Sequence, residues 1–310
     1  MQVSGKRFLD FIVYFFLRML ISMVQALRLE TCRQIADFLG TFFCDVLRIR
    51  QQTVDDNLRQ AYPHLGPAGR QRLSRDMWKH LFLMVVEVAH ARRKIHATNW
   101  HRHIRFRGGT ELARCLLDDR PTILVTGHFG NFEVSGYVLG LFGFPTYTVA
   151  RPLDNPYLDR FLNQFRGSTG QHILPKNDCA DRILQLLRDG ATLTLLGDQH
   201  AAGWKNCWVD FYGRPASTHK AIALFALTNS APLAVTYCRR TGGPLQYEAG
   251  LVGIADPADP SFNMQTVRDL TQWYTKQLET MINLAPQQYW WLHRRWKGEP
   301  PARVRKKWAA

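Results

Sequence analysis

A β-branched apolar run that passes through glycines into a helical repeat has few ways to fold, and residues 122–136 are such a stretch. Thr122-Ile-Leu-Val-Thr126 reads as a short buried strand. Gly127 and Gly130 let the backbone turn, and Asn131 is a good helix cap. Val134, Tyr137, Val138, Leu141 and Phe142 then recur at helical spacing. Strand, turn and helix leave His128 in the joint and Glu133 in the first helical turn. On one continuous helix, residues five apart point about 140° away from each other. The two side chains meet only if the turn brings them together, and that pairing is the expectation here. A carboxylate beside an imidazole fixes its tautomer and leaves the other nitrogen as a general base. The helix N-terminus adds positive potential and free N–H groups for an oxyanion or a phosphate. Taken alone, His-x4-Glu more often marks a buried, hydrogen-bonded histidine and a surface glutamate, a reading that the strand–turn–helix context weakens without removing.

From about residue 106, short apolar runs alternate with helical periods. Strands are expected at 122–126, 146–150, 171–174, 192–196 and 232–237. Helices are expected at 109–118, 132–142, 156–166, 178–189, 217–229 and 262–283. Asn155-Pro156 is a cap followed by a first-turn proline, and Asn177 or Asp178 starts the next helix. The class is therefore α/β, a mixed and largely parallel sheet flanked by helices. It occupies residues 106–310 and follows an N-terminal membrane-anchoring and helical region, 1–105. In that region 31–49 and 73–91 have apolar helical faces, with a break at 62–67. Residues 8–27 are apolar enough to span or lie in a membrane, Asp10 and Arg18 excepted. A buried core helix is the plain alternative. Lys6 and Arg7 would keep the N-terminus cytoplasmic if the segment spans, and a cytoplasmic catalytic part then favours the interfacial reading.

The net charge of +15 predicts attraction to a polyanion, whether nucleic acid, anionic lipid or an acidic carrier protein. Six scattered cysteines with no Cys-x-x-Cys pair argue for reduced thiols and against a disulfide framework or zinc site. Basic and histidine residues crowd 90–107, too irregularly for a metal site; they read as a solvated face or a headgroup patch. Arg303, Arg305, Lys306 and Lys307 form a polybasic end.

Gly127-His-Phe-Gly-Asn-Phe-Glu133 resembles the His-x4-Asp/Glu motif of the glycerolipid acyltransferase superfamily, and more closely the bacterial late lipid A acyltransferases. Four further stretches match that family in order: Arg151-Pro-Leu-Asp-Asn-Pro-Tyr-Leu-Asp159, Gly197-Asp-Gln199, Phe211-Tyr-Gly-Arg-Pro-Ala216 and Tyr289-Trp-Trp-Leu-His-Arg-Arg-Trp-Lys297. Asn57-Leu-Arg-Gln-Ala-Tyr-Pro63 is similar to a family stretch ahead of the catalytic part. The resemblance implies an O-acyltransferase on the cytoplasmic face of the bacterial inner membrane. The donor would be an acyl thioester, acyl carrier protein or else coenzyme A, as co-substrate. The acceptor would be a hydroxyl of a lipid A precursor or related glycolipid. No metal and no resident cofactor is expected, and no nucleic acid.

The residues expected to carry this chemistry are His128 and Glu133 as catalytic dyad, with Arg166, Asp198, Arg151, Asn131 and Gln199 binding substrate. Asp198 reads as the polar end of strand 192–196, at the sheet edge where His128 also lies. Arg166 and Asp198 match positions that the family uses in or beside its active site, and arginine suits phosphates. In the aromatic-basic stretch, Tyr289, Trp290 and Leu292 read as a packed final strand with Arg294 and Arg295 solvated, or as an interfacial anchor. Asp-Gln-His at 198–200 and Lys-Gly-Glu-Pro at 297–300 depart from the family's commoner patterns. That leaves the acceptor open: an aminolipid or another lysolipid is an alternative, with acyl-CoA as donor. A hydrolase using water, and a basic membrane-tethered nucleic-acid binder with its nine tryptophans, are the readings from other classes.

Overall fold

Strand β2 (Thr122–Thr126) is buried along its whole length because it runs mid-sheet, with a strand on each side and helices over both faces. That is why its sequence is a continuous apolar run and not an alternation. The computed structural model describes residues 2–176, 179–203, 206–302 and 304. Asn177, Asp178 and the basic positions Arg303, Arg305, Lys306 and Lys307 lie outside the described residues. The seven-stranded sheet also contains β1 (Ile104–Arg107), β3 (Thr146–Ala150), β4 (Gln171–Pro175), β5 (Thr192–Leu196), β8 (Leu233–Arg240) and β9 (Tyr247–Ala255). Its order is β1-β9-β8-β2-β5-β3-β4, parallel throughout except where β8 meets β9. The mixed, largely parallel α/β class is therefore what the chain adopts.

Helices α5 (Gly109–Leu116), α6 (Phe132–Leu141), α7 (Pro156–Gly167), α8 (Ala180–Arg188), α9 (Ala221–Thr228) and α10 (Val267–Asn283) alternate with the strands. Asn155 caps α7 by accepting from the backbone N–H groups of Tyr157 and Leu158. A hairpin of β6 (Asn206–Phe211) and β7 (Arg214–His219) stands apart from the main sheet. It takes residues 214–219, so the helix expected over 217–229 starts only at Ala221. Cross-strand pairing with β6 overrides the local helical pattern.

Before the sheet come α1 (Gln2–Ala26), α2 (Leu29–Thr41) with a π-helical turn at Phe42–Val46, α3 (Gln51–Ala61) and α4 (Pro67–Lys94). The boundary read at residue 105 falls just inside β1, yet Val54, Leu58, Met77 and Trp78 share one core with Ile123, Val125 and Leu278. The N-terminal helices are thus walls of the same body.

Helix α1 is different. Gly5–Ala26 is long and apolar enough to cross a membrane, and none of it is buried in the protein. It touches α7 and α4 along a stripe of polar-tipped residues. Tyr14 stacks on Tyr157, the Arg18 guanidinium lies 4.6 Å over Phe161, the Asp10 carbonyl accepts from Asn155, and Gln25 donates to the Ala89 carbonyl. Phe8, Leu9, Phe15, Phe16, Met19, Leu20 and Met23 face outward.

Candidate active site

Because β2 and β5 are parallel neighbours, the segments that follow them leave the sheet at the same edge. The loop 127–131 carries His128 and the turn 197–201 carries Asp198. Gly127 and Gly197 are what let them meet: a methyl on Gly127 would press on the Asp198 side chain at 3.2 Å, and one on Gly197 on Tyr274 and Val125 at 3.1 Å. Asp198, itself buried, accepts the His128 backbone N–H on Oδ2 at 3.0 Å and faces His128 Nδ1 with Oδ1 at 3.0 Å. Both oxygens are therefore engaged by one residue, and the imidazole is left with Nε2.

This is not the pairing expected from the His-x4-Glu spacing. Glu133 is held by Arg166, whose Nε and Nη2 donate to its two oxygens at 2.9 and 2.6 Å. The cause is local: α6 begins at Phe132, capped by Asn131 through the Val134 N–H. Glu133 at the second helical position meets the last turn of α7, where Arg166 sits. The carboxylate that bonds His128 comes from the neighbouring strand, seventy positions on.

The electrostatics follow the geometry. Burial works against a charged His128, but the adjacent Asp198 charge and hydrogen bond, with Glu133 farther off, outweigh it and move the imidazole above its usual value. Burial likewise opposes ionisation of Asp198, and the charge and hydrogen bonds of His128 outweigh it and hold the carboxyl below its usual range.

The remaining expected residues divide. Gln199 lies beside the imidazole, its amide nitrogen 3.2 Å from Nε2 and 3.4 Å from Nδ1. With Nδ1 turned to Asp198, the nitrogen of the neutral ring to which this amide can donate is Nε2. Arg151 makes an exposed ion pair with Asp154, and among the described residues no contact ties it to His128, Asp198, Glu133 or Arg166. Asn131 is fully buried: its oxygen caps α6 and its nitrogen donates to Glu87 and Tyr247, so the side chain offers no face to a ligand.

Several neighbours gave no usable signal in the sequence. Phe132 and Trp290 set their rings edge-on against His128, at 5.1 and 5.7 Å. His80, buried on α4, joins its Nε2 to the Gly130 carbonyl at 3.1 Å and faces Arg240 with Nδ1 at 3.2 Å. Burial, reinforced by the Arg240 charge, pushes it down to about 3, so it stays neutral and donates from Nε2. Arg240 in turn is clamped by the fully buried Glu87 at 2.6 and 2.8 Å. The stretch 289–297 forms no strand. It makes one isolated bridge, Tyr289 to Phe129, and Arg295 is buried at 2% exposure, not solvated. Arg294 is exposed as expected.

Gly130 holds a left-handed φ of +59°, and a Cβ there would drive into the Cys238 carbonyl. Gly130→Ala is expected to destabilise the fold by roughly 2–4 kcal/mol, through strain plus overlap. Chemical denaturation checks it, and an unchanged midpoint would contradict this account of the turn.

Residues 4–298 match the family model described as bacterial lipid A biosynthesis acyltransferase. The chain is 23% identical over 274 residues to the lipid A biosynthesis palmitoleoyltransferase of Escherichia coli (strain K12), covering 84% of this chain and 83% of that one. It is 24% identical over 268 residues to the lipid A biosynthesis lauroyltransferase of the same organism, covering 84% of each. Among solved structures, the 1-acyl-sn-glycerophosphate acyltransferase of Thermotoga maritima aligns with a TM-score of 0.40 at 12% identity, covering 83% of this chain and 98% of that one.

Proposed function

The chain belongs to the bacterial lipid A biosynthesis acyltransferase family, and on that premise we propose that it moves a fatty acyl chain from an acyl carrier protein thioester to a hydroxyl of a lipid A precursor or related glycolipid, with His128 as general base. The observation that carries this is the His128 Nδ1–Asp198 bond, which leaves Nε2 as the nitrogen to receive a proton. Nε2 takes the proton of the acceptor hydroxyl as its oxygen attacks the thioester carbonyl. The imidazolium, steadied by Asp198, then returns that proton to the departing thiolate, so an ester and a free carrier thiol result. First-turn N–H groups of α6 and the Nη1 of Arg166, which Glu133 does not engage, would serve the oxyanion or a substrate phosphate. Gln199, whose amide faces Nε2, would turn to bond the incoming hydroxyl. The +15 charge suits an acidic carrier and phosphorylated lipid.

The test is transfer of a labelled acyl chain, offered on the carrier protein and on coenzyme A, with and without the lipid acceptor. Ester formation that needs the acceptor supports the reading. Release of free fatty acid at the same rate without acceptor would make the enzyme a hydrolase instead.

Membrane attachment belongs to the same reading. Because α1 docks on α7 and α4 from Asp10 to Gln25 with its polar-tipped stripe inward, its apolar face lies along the body's surface and suits the lipid interface of the cytoplasmic leaflet better than a span. Changing Phe15 and Met19 together to glutamine is expected to weaken binding to anionic-lipid vesicles by more than about tenfold, since each loses an apolar side chain worth roughly 1.5–3 kcal/mol when buried and no charge is added. Co-sedimentation with vesicles measures it; undiminished binding would remove α1 from the lipid contact.

A further inference from the structure

We infer that His293 and Arg295 are positioning residues: together they hold the turn 197–201, and with it Asp198, at the spacing from His128 that proton transfer needs. The inference rests on His128 being the base.

The stretch that follows α10 touches both halves of the pair. On one side, the Trp290 N–H donates to the His128 carbonyl at 2.9 Å and the Gln288 carbonyl accepts from the Gly130 N–H at 2.9 Å. On the other, His293 Nε2 accepts the His200 backbone N–H at 2.9 Å, two residues from Asp198. Arg295 donates to the Ser217 carbonyl and the Thr218 hydroxyl of β7, and that same Ser217 carbonyl accepts the Ala201 N–H. The turn is thus hung from the segment at His200 and, through β7, at Ala201. The segment itself is pinned from behind: Asn57 on α3 donates to the Trp291 and His293 carbonyls, both at 2.7 Å, and Arg50 donates to that of Leu292 at 2.9 Å.

Two features set these residues apart from ordinary packing. Arg295 is buried without a carboxylate bonded to it among the described residues, an expensive arrangement unless its charge serves something nearby. Asp198 is the neighbouring anion whose charge it feels. His293 must stay neutral to accept from His200. Burial, with Arg295 and His128 acting against the pull of Asp198, brings it down to about 4.

The experiment uses the full chain in vesicles and compares wild type, His293→Leu, His293→Gln, Arg295→Lys and His128→Ala, each with a thermal melt. Leucine removes the acceptor at similar bulk; the Gln side-chain oxygen reaches the same N–H; lysine keeps the charge but cannot bridge two acceptors. Expected for His293→Leu and Arg295→Lys is a fall in kcat of about 10–100-fold, as for sub-ångström to 1 Å misplacement, with KM within about twofold. The acidic limb of the pH profile should also move down, because a displaced Asp198 supports the imidazolium less. Glutamine should restore kcat and limb. Wild-type kcat and limb in His293→Leu would overturn the inference, as would lost activity with an unmoved limb, the mark of a structural role alone. If His293→Leu does not fold, His293→Asn, whose shorter amide falls short of the N–H, is read the same way. Transfer that survives His128→Ala would instead overturn the base assignment.

Discussion

His128→Ala is expected to lower acyl transfer about a thousandfold while the protein stays folded. Removing a general base costs roughly 10²–10⁴-fold, because the acceptor alcohol then has to lose its proton to water. The fold should survive because the imidazole side chain is partly solvated at 20% exposure, and Asp198 keeps the His128 backbone N–H on Oδ2 when the ring is gone. What disappears from the interior is one ring against Phe132 and Trp290. Initial rates with a labelled acyl donor, beside a circular dichroism melt, separate the two outcomes. A variant that retains a tenth of the wild-type rate would show that some other group takes the proton. The pH profile gives a second check with its sign fixed. The free base acts only when deprotonated, and Asp198 raises the imidazole above its usual value of 6.5. Activity should therefore fall on the acid side through a midpoint above 6.5.

Residues that act locally are legible in the sequence itself. The β-branched and apolar runs at β2, β3 and β5 end where the sequence places them, and β2, buried at every position between two parallel neighbours, is the one whose composition two-sided burial dictates. Asn131 and Asn155 cap α6 and α7 for reasons contained in a few neighbouring residues. Strands β1, β6, β7 and β9 escaped notice. β1 buries only Ile104, and the hairpin carries Asn206, Asp210, Arg214 and Pro215, so pairing and not hydrophobicity makes them strands. At the site, the histidine was readable from its turn, but its partner was not. A spacing of five residues names Glu133, whereas sheet register decides that β5 delivers Asp198. Arg151 lies exposed beside Asp154 and apart from His128 for the opposite reason: a motif can mark a stretch without saying which side chain turns inward. Burial of Arg295 depends on β7 and on Phe211, whose ring lies 5.0 Å from its guanidinium, and neither lies near it in sequence.

The two carboxylates can be told apart by substitutions that change charge and little else. In Asp198→Asn the remaining oxygen is claimed by the His128 backbone N–H, so the amide NH₂ faces Nδ1. Nδ1 then has to accept, the ring proton moves to Nε2, and the base is blocked by its own tautomer. A loss of about 10²–10⁴-fold in kcat is expected, with the acidic limb displaced downward because the imidazolium has lost its counter-ion. Glu133→Gln acts through a different route. It leaves the Nδ1 bond intact and halves the grip on Arg166, whose Nε and Nη2 now share one oxygen and one NH₂. Activity should fall through KM and substrate placement, with the limb shifting far less, since Glu133 influences His128 only across space and after Asp198. A double-mutant cycle with Arg166→Ala should then show strong coupling to Glu133 and weak coupling to Asp198. Equal movement of the limb in both single variants would return Glu133 to the role its spacing suggested. A limb that moves only in Asp198→Asn leaves the strand-borne carboxylate as the partner, with Glu133 serving to aim an arginine.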